Sequence, residues 1–352
     1  MSTSTHVDKL TITFLVDNCI EWMTKLPPGF VHELPQHIQL YPLPDEVTGV
    51  PIVDFDHFCC GAHGFAALIE TQIDGADSHF TLFDTGPDSQ SLVRNISAMK
   101  IPVKKIEHIV TSHWHRDHTG GLLSFLGLRN ATPGTPCIVD VHPDRPYARG
   151  IAPGPNYDKV VCALPADPTF DEIEKAGGVL QKHVDGHLIA GGTIWVSGEI
   201  PRVTEFEGGM LGGVRWNKDK WVKEQHIMDE RYAAIDVAGK GLVIFSACSH
   251  AGIVNVVKDA IAVFARPIYM IIGGLHLAGP EFSYRLPLTV KFLSEQLRPS
   301  PTYILPMHCS GFQSKLTLDA AFGEGCVPAG VGLKVNVVGD RERDKELFPP
   351  VY

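Results

Sequence analysis

The sequence predicts an α+β fold in which two β-sheets pack face to face between outer layers of helices. Strand patterns dominate the first part of the 352-residue chain, and strands alternate with helices in its later part. Hydrophobic residues make up 44% and charged residues 20% of the chain, a composition typical of globular proteins and not of disordered, collagen-like or coiled-coil chains. Because helices are available for both outer faces, a sandwich buries the apolar side of each element.

The predicted strands are runs rich in β-branched, aromatic and other apolar residues. In chain order they span residues 10–17, 65–72, 80–84, 106–111, 193–197, 232–237, 242–246, 268–272, 303–306 and 334–338. We expect 65–72 and 80–84 to form an antiparallel pair. The strand at 106–111 is short and β-branched and ends in a polar cluster.

The predicted helices span residues 90–99, 119–128, 170–176, 253–264, 282–296 and 315–322. The segment 119–128 begins with Thr and Gly and then becomes apolar, which is typical of a helix entered from a loop. From residue 253 onward each predicted helix is followed by a strand, and this regular alternation supports the sandwich.

Two long loop excursions, at about 26–58 and 130–168, interrupt what we predict to be a single domain over residues 1–352. Loops on a rigid scaffold carry specificity, so we expect these excursions to be the pocket walls. Their aromatic residues either line an apolar pocket or pack within their own loops; they are Phe30, Tyr41, Phe55, Phe58, Tyr147 and Tyr157. Basic residues are few there, which gives no cluster suited to polyphosphate or nucleic acid.

Charge and cysteine usage narrow the class of protein further. The formal net charge is -10, which argues against nonspecific nucleic-acid binding. No apolar run reaches the roughly 20 residues of a membrane span, and residues 1–9 do not look like a signal peptide. The eight cysteines form no CxxC pair, which is typical of reduced thiols. We therefore expect a cytoplasmic protein with a small-molecule substrate, without nucleic-acid or membrane partners, with homo-oligomerisation left open.

Residues 111–121 form the most informative segment, Thr-Ser-His-Trp-His-Arg-Asp-His-Thr-Gly-Gly, between a predicted strand and a predicted helix. The four potential metal ligands are His113, His115, Asp117 and His118. The first two are two positions apart, so an extended chain points them the same way. Imidazole together with carboxylate suits Zn, Mn or Fe better than Cu(I) or Ca. The spacing can serve two neighbouring metals; the alternative is a polar loop of surface histidines.

This segment resembles the hallmark of the metallo-β-lactamase superfamily, His-x-His-x-Asp-His followed by Gly. Residues 82–86, Leu-Phe-Asp-Thr-Gly, resemble the strand-end Asp-Thr-Gly of the same superfamily. Five further segments resemble one branch, typified by the dihydropterin ribofuranosylaminobenzene phosphate synthase: 197–202, 229–230, 247–253, 273–277 and 308–311. The resemblance runs from about residue 10 to 338 and implies an αββα sandwich, the metallo-β-lactamase fold, with its metal site at one edge between the sheets.

The resemblance also implies a ligand set. By position, His113, His115 and His250 would hold one metal. Asp117, His118 and His308 would hold the other, with Asp117 also the predicted catalytic residue. Both His250 and His308 follow predicted strands, so their side chains can converge at one rim. One or two divalent ions are expected, with Zn first and Mn or Fe as alternatives.

Several further residues near the predicted site have two possible roles, a functional one and a structural one. His276 follows a strand and is either a ligand or substrate-facing group, or a structural residue. Asp84 either accepts a hydrogen bond from a ligating imidazole or caps its own turn. Asp229 and Glu230 either support the site or are loop charges. For His63 and His226 the structural interpretation is favoured.

The sequence departs from the superfamily pattern at one point. Many members place a bridging Asp after a strand, in a Thr-Gly-Asp context. Here the strand 242–245 continues into Ser246-Ala247-Cys248, where no carboxylate is available. The number of bound metals therefore stays open.

The expected chemistry is hydrolysis. A bound metal lowers the pKa of its water from about 15.7 to near 7, which makes metal-bound hydroxide available at neutral pH. The chain has no Gly-x-Ser-x-Gly elbow and no Walker loop. We favour a metallo-hydrolase for a small ester or amide, a lactone first. The alternatives are phosphodiester hydrolysis, synthase-like chemistry on a pterin or phosphate substrate, and a non-catalytic metal- or ligand-binding protein.

Overall fold

The computed structural model describes residues 5–131 and 134–352. The strands are β1 (Lys9–Val16), β2 (Phe30–Val31), β3 (Ala66–Gln72), β4 (His79–Phe83), β5 (Ile106–Val110), β6 (Cys137–Val141), β7 (Arg149–Ile151), β8 (Cys162–Ala163), β9 (Gly178–Lys182), β10 (His187–Ile189), β11 (Ile194–Val196), β12 (Gly213–Asn217), β13 (Lys220–Lys223), β14 (Ala233–Val237), β15 (Gly241–Ser246), β16 (Ile268–Gly274), β17 (Tyr303–Met307) and β18 (Lys334–Val338). The α-helices are α1 (Glu33–Leu40), α2 (Ser89–Ala98), α3 (Arg116–Thr119), α4 (Leu122–Asn130), α5 (Phe170–Lys175), α6 (Ile253–Phe264), α7 (Arg285–Lys291) and α8 (Phe312–Phe322).

These strands form two large sheets and one small sheet. The first sheet has eight strands in the order β2-β18-β1-β3-β4-β5-β6-β9, and the second has six in the order β10-β11-β14-β15-β16-β17. The small sheet has four strands in the order β13-β12-β7-β8. As predicted, β3 and β4 pair antiparallel.

The two large sheets face each other across a common apolar core, and helices cover their outer faces. Strand β15 shows how the layers arise: Val243 and Phe245 join the core between the sheets, whereas Leu242 and Ile244 join the core under α6. This alternation follows from the two-residue period of a strand. Helices α2 and α4 cover the outer face of the first sheet in the same way. The predicted αββα sandwich is confirmed.

The topology brings several carboxyl-terminal strand ends to one rim of the sandwich. In the first sheet β4 and β5 run parallel, and in the second sheet β15, β16 and β17 run parallel. In parallel strands the chain leaves each strand at the same edge, where ligand sites form. The loops after these five strands contain Asp84, the segment 113–118, His250, His276 and His308.

Several elements differ from the sequence prediction. Strands β6 and β9 extend the first sheet, although we expected 130–168 to be loop and did not predict β9. Helix α7 is shorter than the predicted 282–296, because a π-helical turn replaces it at Phe292–Gln296. Helix α8 begins at Phe312 and not at residue 315. Residues 1–4, within the segment that we expected to lack a signal, and 132–133, within the predicted loop, lie outside the described residues.

The excursion at 26–58 is more ordered than its prolines suggested. It contains β2, which extends the first sheet, and helix α1. Within α1, His37 bonds to Glu33 at 2.8 Å, and the Phe58 ring stacks on the His37 ring at 4.2 Å between centroids. The loop therefore packs largely upon itself.

Among the described residues, no helix has the length and apolar character needed to cross a bilayer.

Candidate metal centre

The segment after β5 carries the four clustered ligand candidates into the rim. His113 lies in a bend after the strand, His115 is extended, and the short helix α3 turns Asp117 and His118 toward the same point. His113, His115 and His118 are buried. The structure thus gathers these side chains at one place, although a bend at 113–114 and not a continuous extended chain brings His113 there.

His113, His115 and His250 are the predicted first ligand set, and the structure brings them together. The Nε2 atom of His113 lies 2.9 Å from Nδ1 of His115 and 3.2 Å from Nε2 of His250. The three ligand atoms all lie within 4.8 Å of one another. Tetrahedral Zn–N bonds of about 2.0–2.1 Å place ligand nitrogens about 3.3 Å apart, so the set fits one divalent ion.

The predicted second ligand set is Asp117, His118 and His308. Within 4.8 Å the described structure groups Asp117 and His308 with His63, and it groups His118 with His113 and Cys248. Asp117 Oδ2 lies 3.6 Å from His118 Nε2 and 3.3 Å from His308 Nε2. The Nε2 atom of His308 is buried and has no hydrogen-bond partner in the described structure. Its other nitrogen lies 3.3 Å from the side-chain oxygen of Asn18, so Nδ1–H donates there and leaves Nε2 as an acceptor. Two acceptors that face each other fit a bound cation.

Asp84 organises one imidazole of each set. Its Oδ2 accepts from His118 Nδ1 at 2.8 Å and from the Ser112 hydroxyl at 2.7 Å. Because that hydroxyl donates to the carboxylate, it accepts from His113 Nδ1 at 2.9 Å. Both imidazoles therefore turn Nε2 toward the site. This is the geometry expected of a carboxylate that supports metal ligands, a role that stays a prediction.

Buried carboxylates also hold the loops that carry the ligands. Glu230 accepts from the backbone N–H groups of His250 and Ala251, both at 2.7 Å. Asp229 accepts from the backbone N–H of Trp114 at 2.7 Å, and Arg149 donates to Asp229 and to the Trp114 carbonyl. Both carboxylates are thus structural supports of the ligand loops and not exposed loop charges.

Burial and neighbouring charges set the protonation of the metal-free site. Burial lowers the pKa of His115 to about 3 and lowers the pKa values of His113 and His250 well below 6.5. Burial also opposes protonation of His118, but the Asp117 and Asp84 carboxylates outweigh it and raise the pKa of His118 to about 9. The first set is therefore neutral at pH 7, which is the state that binds metal.

A cavity of about 490 Å³ opens onto both ligand sets. The small sheet and the segment before it form one wall, with Ile151, Leu164, Met210, Leu211 and Val214, and Phe282 also lines the cavity. The cavity floor contains His115, His276 and His308. None of the described residues of 26–58 lines this cavity, so our expectation for that excursion is wrong, whereas 130–168 does contribute to the wall.

The aromatic residues of the excursions do not line the cavity either. Phe30 contacts Tyr303, and Phe55 and Phe58 contact each other and Trp22. Tyr41 stacks on His37, and Tyr147 is exposed. Among the described residues the wall is mainly aliphatic, with Phe282 as its aromatic member. The alternative in which the aromatics pack within their own loops fits Tyr41, Phe55 and Phe58, whereas Phe30 packs on strand β17 and Tyr147 is exposed.

Three residues near the site were underestimated or missed. His63 lies beside the second set, with Nε2 3.7 Å from Asp117 Oδ2 and its ring 4.6 Å from the His308 ring. The thiols of Cys248 and Cys309 also reach the ligand sets. Their adjacency to His250 and His308 in sequence was the available signal. His276 lies 4.5 Å from His250 between ring centroids, whereas His226 is exposed and belongs to none of the described candidate ligand groups.

Comparison with known proteins identifies the family. The family model of the metallo-beta-lactamase superfamily matches residues 63–204. A 7,8-dihydropterin-6-methyl-4-(beta-D-ribofuranosyl)-aminobenzene-5'-phosphate synthase of Methanocaldococcus jannaschii is 30% identical over 283 residues, which cover 79% of this chain and 90% of that protein. An uncharacterised protein of the same organism is 30% identical over 254 residues, which cover 72% of this chain and 85% of that protein.

A solved structure supports the fold. The crystal structure of a metal-dependent hydrolase of the beta-lactamase superfamily superposes with a TM-score of 0.63 at 19% identity, covering 94% of this chain and 99% of that chain. The sandwich fold, the rim of histidines and the relative matched over 90% of its length all indicate the same family. The chain belongs to the metallo-β-lactamase superfamily, in the branch that includes the dihydropterin ribofuranosylaminobenzene phosphate synthase.

Proposed function

We propose that the protein is a metal-dependent hydrolase of a small, weakly charged ester or amide, with a lactone as the first candidate. The observation that carries this proposal is the cavity, whose mainly aliphatic walls open directly onto two convergent sets of imidazole and carboxylate groups. Such a pocket desolvates the apolar part of a substrate and presents its polar part to the ligand sets.

The charges around the cavity favour a neutral substrate over a phosphate ester. Arg149 is the one Lys or Arg among the described lining residues, and Glu224 and Asp229 already accept its hydrogen bonds. Glu224 and Glu281 also line the cavity. A phosphate group would meet two carboxylates and no uncommitted guanidinium or ammonium group there, which disfavours its binding.

Each residue of the site has a role in this proposal. His113, His115 and His250 would hold one ion, and Asp117, His118 and His308 the other. Bound divalent ions would supply Lewis-acid activation of the substrate carbonyl and of water. Asp117, whose side chain is the most exposed of the second set, would take up the proton of the attacking water, as its predicted catalytic role requires. His276, whose Nδ1 is buried without a partner in the described structure, would face a substrate oxygen.

The test pairs metal content with a substrate screen. Metal per chain is measured by elemental analysis, and hydrolysis of lactones, β-lactams and phosphodiesters is measured before and after chelation. We expect about two Zn-type ions per chain from the two ligand sets and lactone turnover that disappears on chelation and returns with added metal.

The variants His113→Ala and His57→Ala provide a matched pair, because His57 is a half-exposed histidine of the excursion at 26–58. The first should lose both metal and turnover, and the second should lose neither. Lactone turnover that survives complete metal removal would contradict the proposal. A ligand that binds the loaded site and is recovered unaltered would favour a non-catalytic binding protein.

A second candidate is synthase-like chemistry on a pterin or phosphate-bearing substrate. Its support is the synthase from M. jannaschii, which this chain matches over 90% of that protein's length at 30% identity. Turnover of phosphodiesters, or binding of a pterin phosphate, with no activity on lactones would favour this candidate. The cavity charges described above argue against it.

A further inference from the structure

A second convergence of histidine and aspartate side chains lies between the edges of the two large sheets. Asp140 is in β6 of the first sheet, in register with Val110 of β5, whose side chain joins the core between the sheets. Residues in register point to the same face, so Asp140 also faces the second sheet. His187 begins β10, the edge strand of that sheet, and His183 lies in the loop from β9 to β10. We call Asp140, His183 and His187 the edge site.

The edge site is separate from the ligand sets at the rim. None of its three residues belongs to those sets or lines the cavity described above. Arg231 connects it to the segment before the rim, because its guanidinium donates to Asp140 Oδ1 and to the Thr111 carbonyl, both at 2.6 Å. Since Arg231 occupies Oδ1, the oxygen left for the two imidazoles is Oδ2.

Both imidazoles of the edge site approach that one oxygen. Nε2 of His187 lies 2.6 Å and Nδ1 of His183 lies 3.2 Å from Asp140 Oδ2. The two rings stack with their centroids 3.7 Å apart. The three donor atoms, one from each residue, all lie within 4.8 Å of one another. Two imidazoles and one carboxylate form a donor set that suits Zn²⁺.

Hydrogen bonds do not satisfy this arrangement. Nδ1 of His183 is buried and has no hydrogen-bond partner in the described structure, although it lies 3.2 Å from Oδ2. Nδ1 of His187 lies 3.2 Å from the Asp185 carbonyl oxygen, so its N–H donates there and Nε2 presents a lone pair to Asp140. A lone pair and a carboxylate oxygen that face each other need a cation between them, which is a proton in the metal-free molecule.

One divalent ion would satisfy all three donors together. A second proton, on His183, would instead stack two imidazolium charges face to face. Tetrahedral bonds of about 2.0–2.1 Å place donors about 3.3 Å apart, and the separation of 3.2 Å between His183 and Asp140 already matches this value. The shorter contact of His187 is that of a proton-bridged pair and lengthens when an ion replaces the proton. The side chains of His183 and His187 are 33% and 18% exposed, so a water molecule can complete the coordination.

We propose that the edge site binds a divalent metal ion of the Zn²⁺ class, which ties β6 of the first sheet to β10 of the second. The ion replaces the proton between His187 and Asp140, and this proton is released to solvent, so the step balances without an oxidant or reductant. The ion is structural and adds to the ions expected at the rim. The edge site does not depend on the proposed function.

The experiment counts zinc in wild type and two variants. Metal-free wild type, His187→Gln and His57→Gln are dialysed against Zn²⁺, and bound zinc per chain is measured by elemental analysis. His57 is the matched control, because its Nδ1 lies 2.8 Å from Asp54 Oδ2 but it belongs to none of the described candidate metal groups. We expect one zinc ion fewer per chain in His187→Gln than in wild type, and no loss in His57→Gln.

A second measurement uses wild type alone and therefore decides the matter if His187→Gln does not fold. Diethyl pyrocarbonate modifies imidazoles that have a free lone pair, and mass spectrometry quantifies the modification at each histidine. Because a metal-bound imidazole has no free lone pair, we expect Zn²⁺ to protect His183 and His187 and not His57.

The outcomes separate the edge site from the proposed function. Equal zinc content in wild type and His187→Gln would overturn the edge site even if the rim binds metal, and so would modification of His183 and His187 that zinc does not change. Zinc-dependent protection of these two histidines in a protein without hydrolase activity would support the edge site and contradict only the proposed function.

Discussion

At the scale of single residues, the site depends on groups that orient its imidazoles as much as on the imidazoles. Asp84 contacts both His118 and Ser112, and through Ser112 it sets the tautomer of His113. Its backbone has a φ of 59°, a left-handed conformation that is uncommon for a residue with a Cβ atom. Ser249, His276 and His308, at or beside the site, share this conformation. Such backbone strain concentrates at functional sites.

We expect Asp84→Asn to weaken metal binding by about 10- to 100-fold, the range found when a hydrogen-bond partner of a ligating histidine is removed. An amide cannot accept from all the donors that the carboxylate serves. Chelator competition would measure the affinity, with Asp77→Asn, an exposed loop position, as the control. Equal affinities of the two variants would show that Asp84 does not act on the metal ligands.

The lowered pKa of His115 predicts an acid-side loss of stability in the metal-free protein. Its pKa is about 3 in the folded state, against about 6.5 when unfolded. A group with a depressed folded pKa contributes stability above pH 6.5 that is lost as the pH falls toward 3. We expect wild type to lose about 1 kcal/mol more than His115→Gln between pH 7.5 and 5.5, measured by urea unfolding after chelation. Parallel losses in the two proteins would refute this assignment.

At the scale of elements, the alternating strands and helices after residue 232 could be predicted because their apolar runs are long and regular. The small sheet could not be predicted, since its strands of two to five residues carry no readable period. Strand β6 was not predicted, because it lies within the segment 130–168, which is rich in loop-forming residues. Its place between β5 and β9 is set by tertiary pairing, which overrides local pattern.

The same distinction applies to the candidate site. The ligands of segment 113–118 could be predicted from the sequence because they are close together in the chain. His250 and His308 were predicted through the resemblance to the superfamily. His63 reaches the site from the segment before β3, and nothing in its immediate sequence indicates a partner, whereas Cys248 stands two residues before His250. Arg149 falls within the predicted excursion 130–168, but it is buried in β7 and joins the small sheet to the metal-binding segment. Contacts of this kind follow from the fold and not from spacing.

We expect Arg149→Met to lower the free energy of unfolding by about 3–5 kcal/mol, because it leaves the buried Asp229 carboxylate without its cation and leaves Glu224 with only the partly exposed Arg215. Arg215→Met is the matched control. Arg215 also contacts Glu224, but it is partly exposed and should cost about 1 kcal/mol or less. Denaturant unfolding measures both. Similar losses in the two variants would mean that Arg149 does not hold the metal-binding segment in place.

At the scale of the whole molecule, the sandwich and the small sheet have separate tasks. The two large sheets bring five strand ends to one rim and hold the ligand sets there, while the small sheet adds a wall outside that rim. Rigid elements therefore position the reactive groups, and inserted segments define the space for the substrate. This division predicts that the wall can be changed without disturbing metal binding.

Leu211 tests that division, because it lines the cavity and is 38% exposed, so that a charged replacement can be tolerated by the fold. We expect Leu211→Lys to lower kcat/KM for apolar lactones about 10-fold, since it removes apolar contact worth about 1.5 kcal/mol, while the metal content stays unchanged. Leu288→Lys, 43% exposed in α7 and outside the cavity lining, should leave both quantities unchanged. Unaltered lactone kinetics in Leu211→Lys would show that this wall does not contact the substrate, whereas lost metal would show that the wall and the ligand sets are one structural unit.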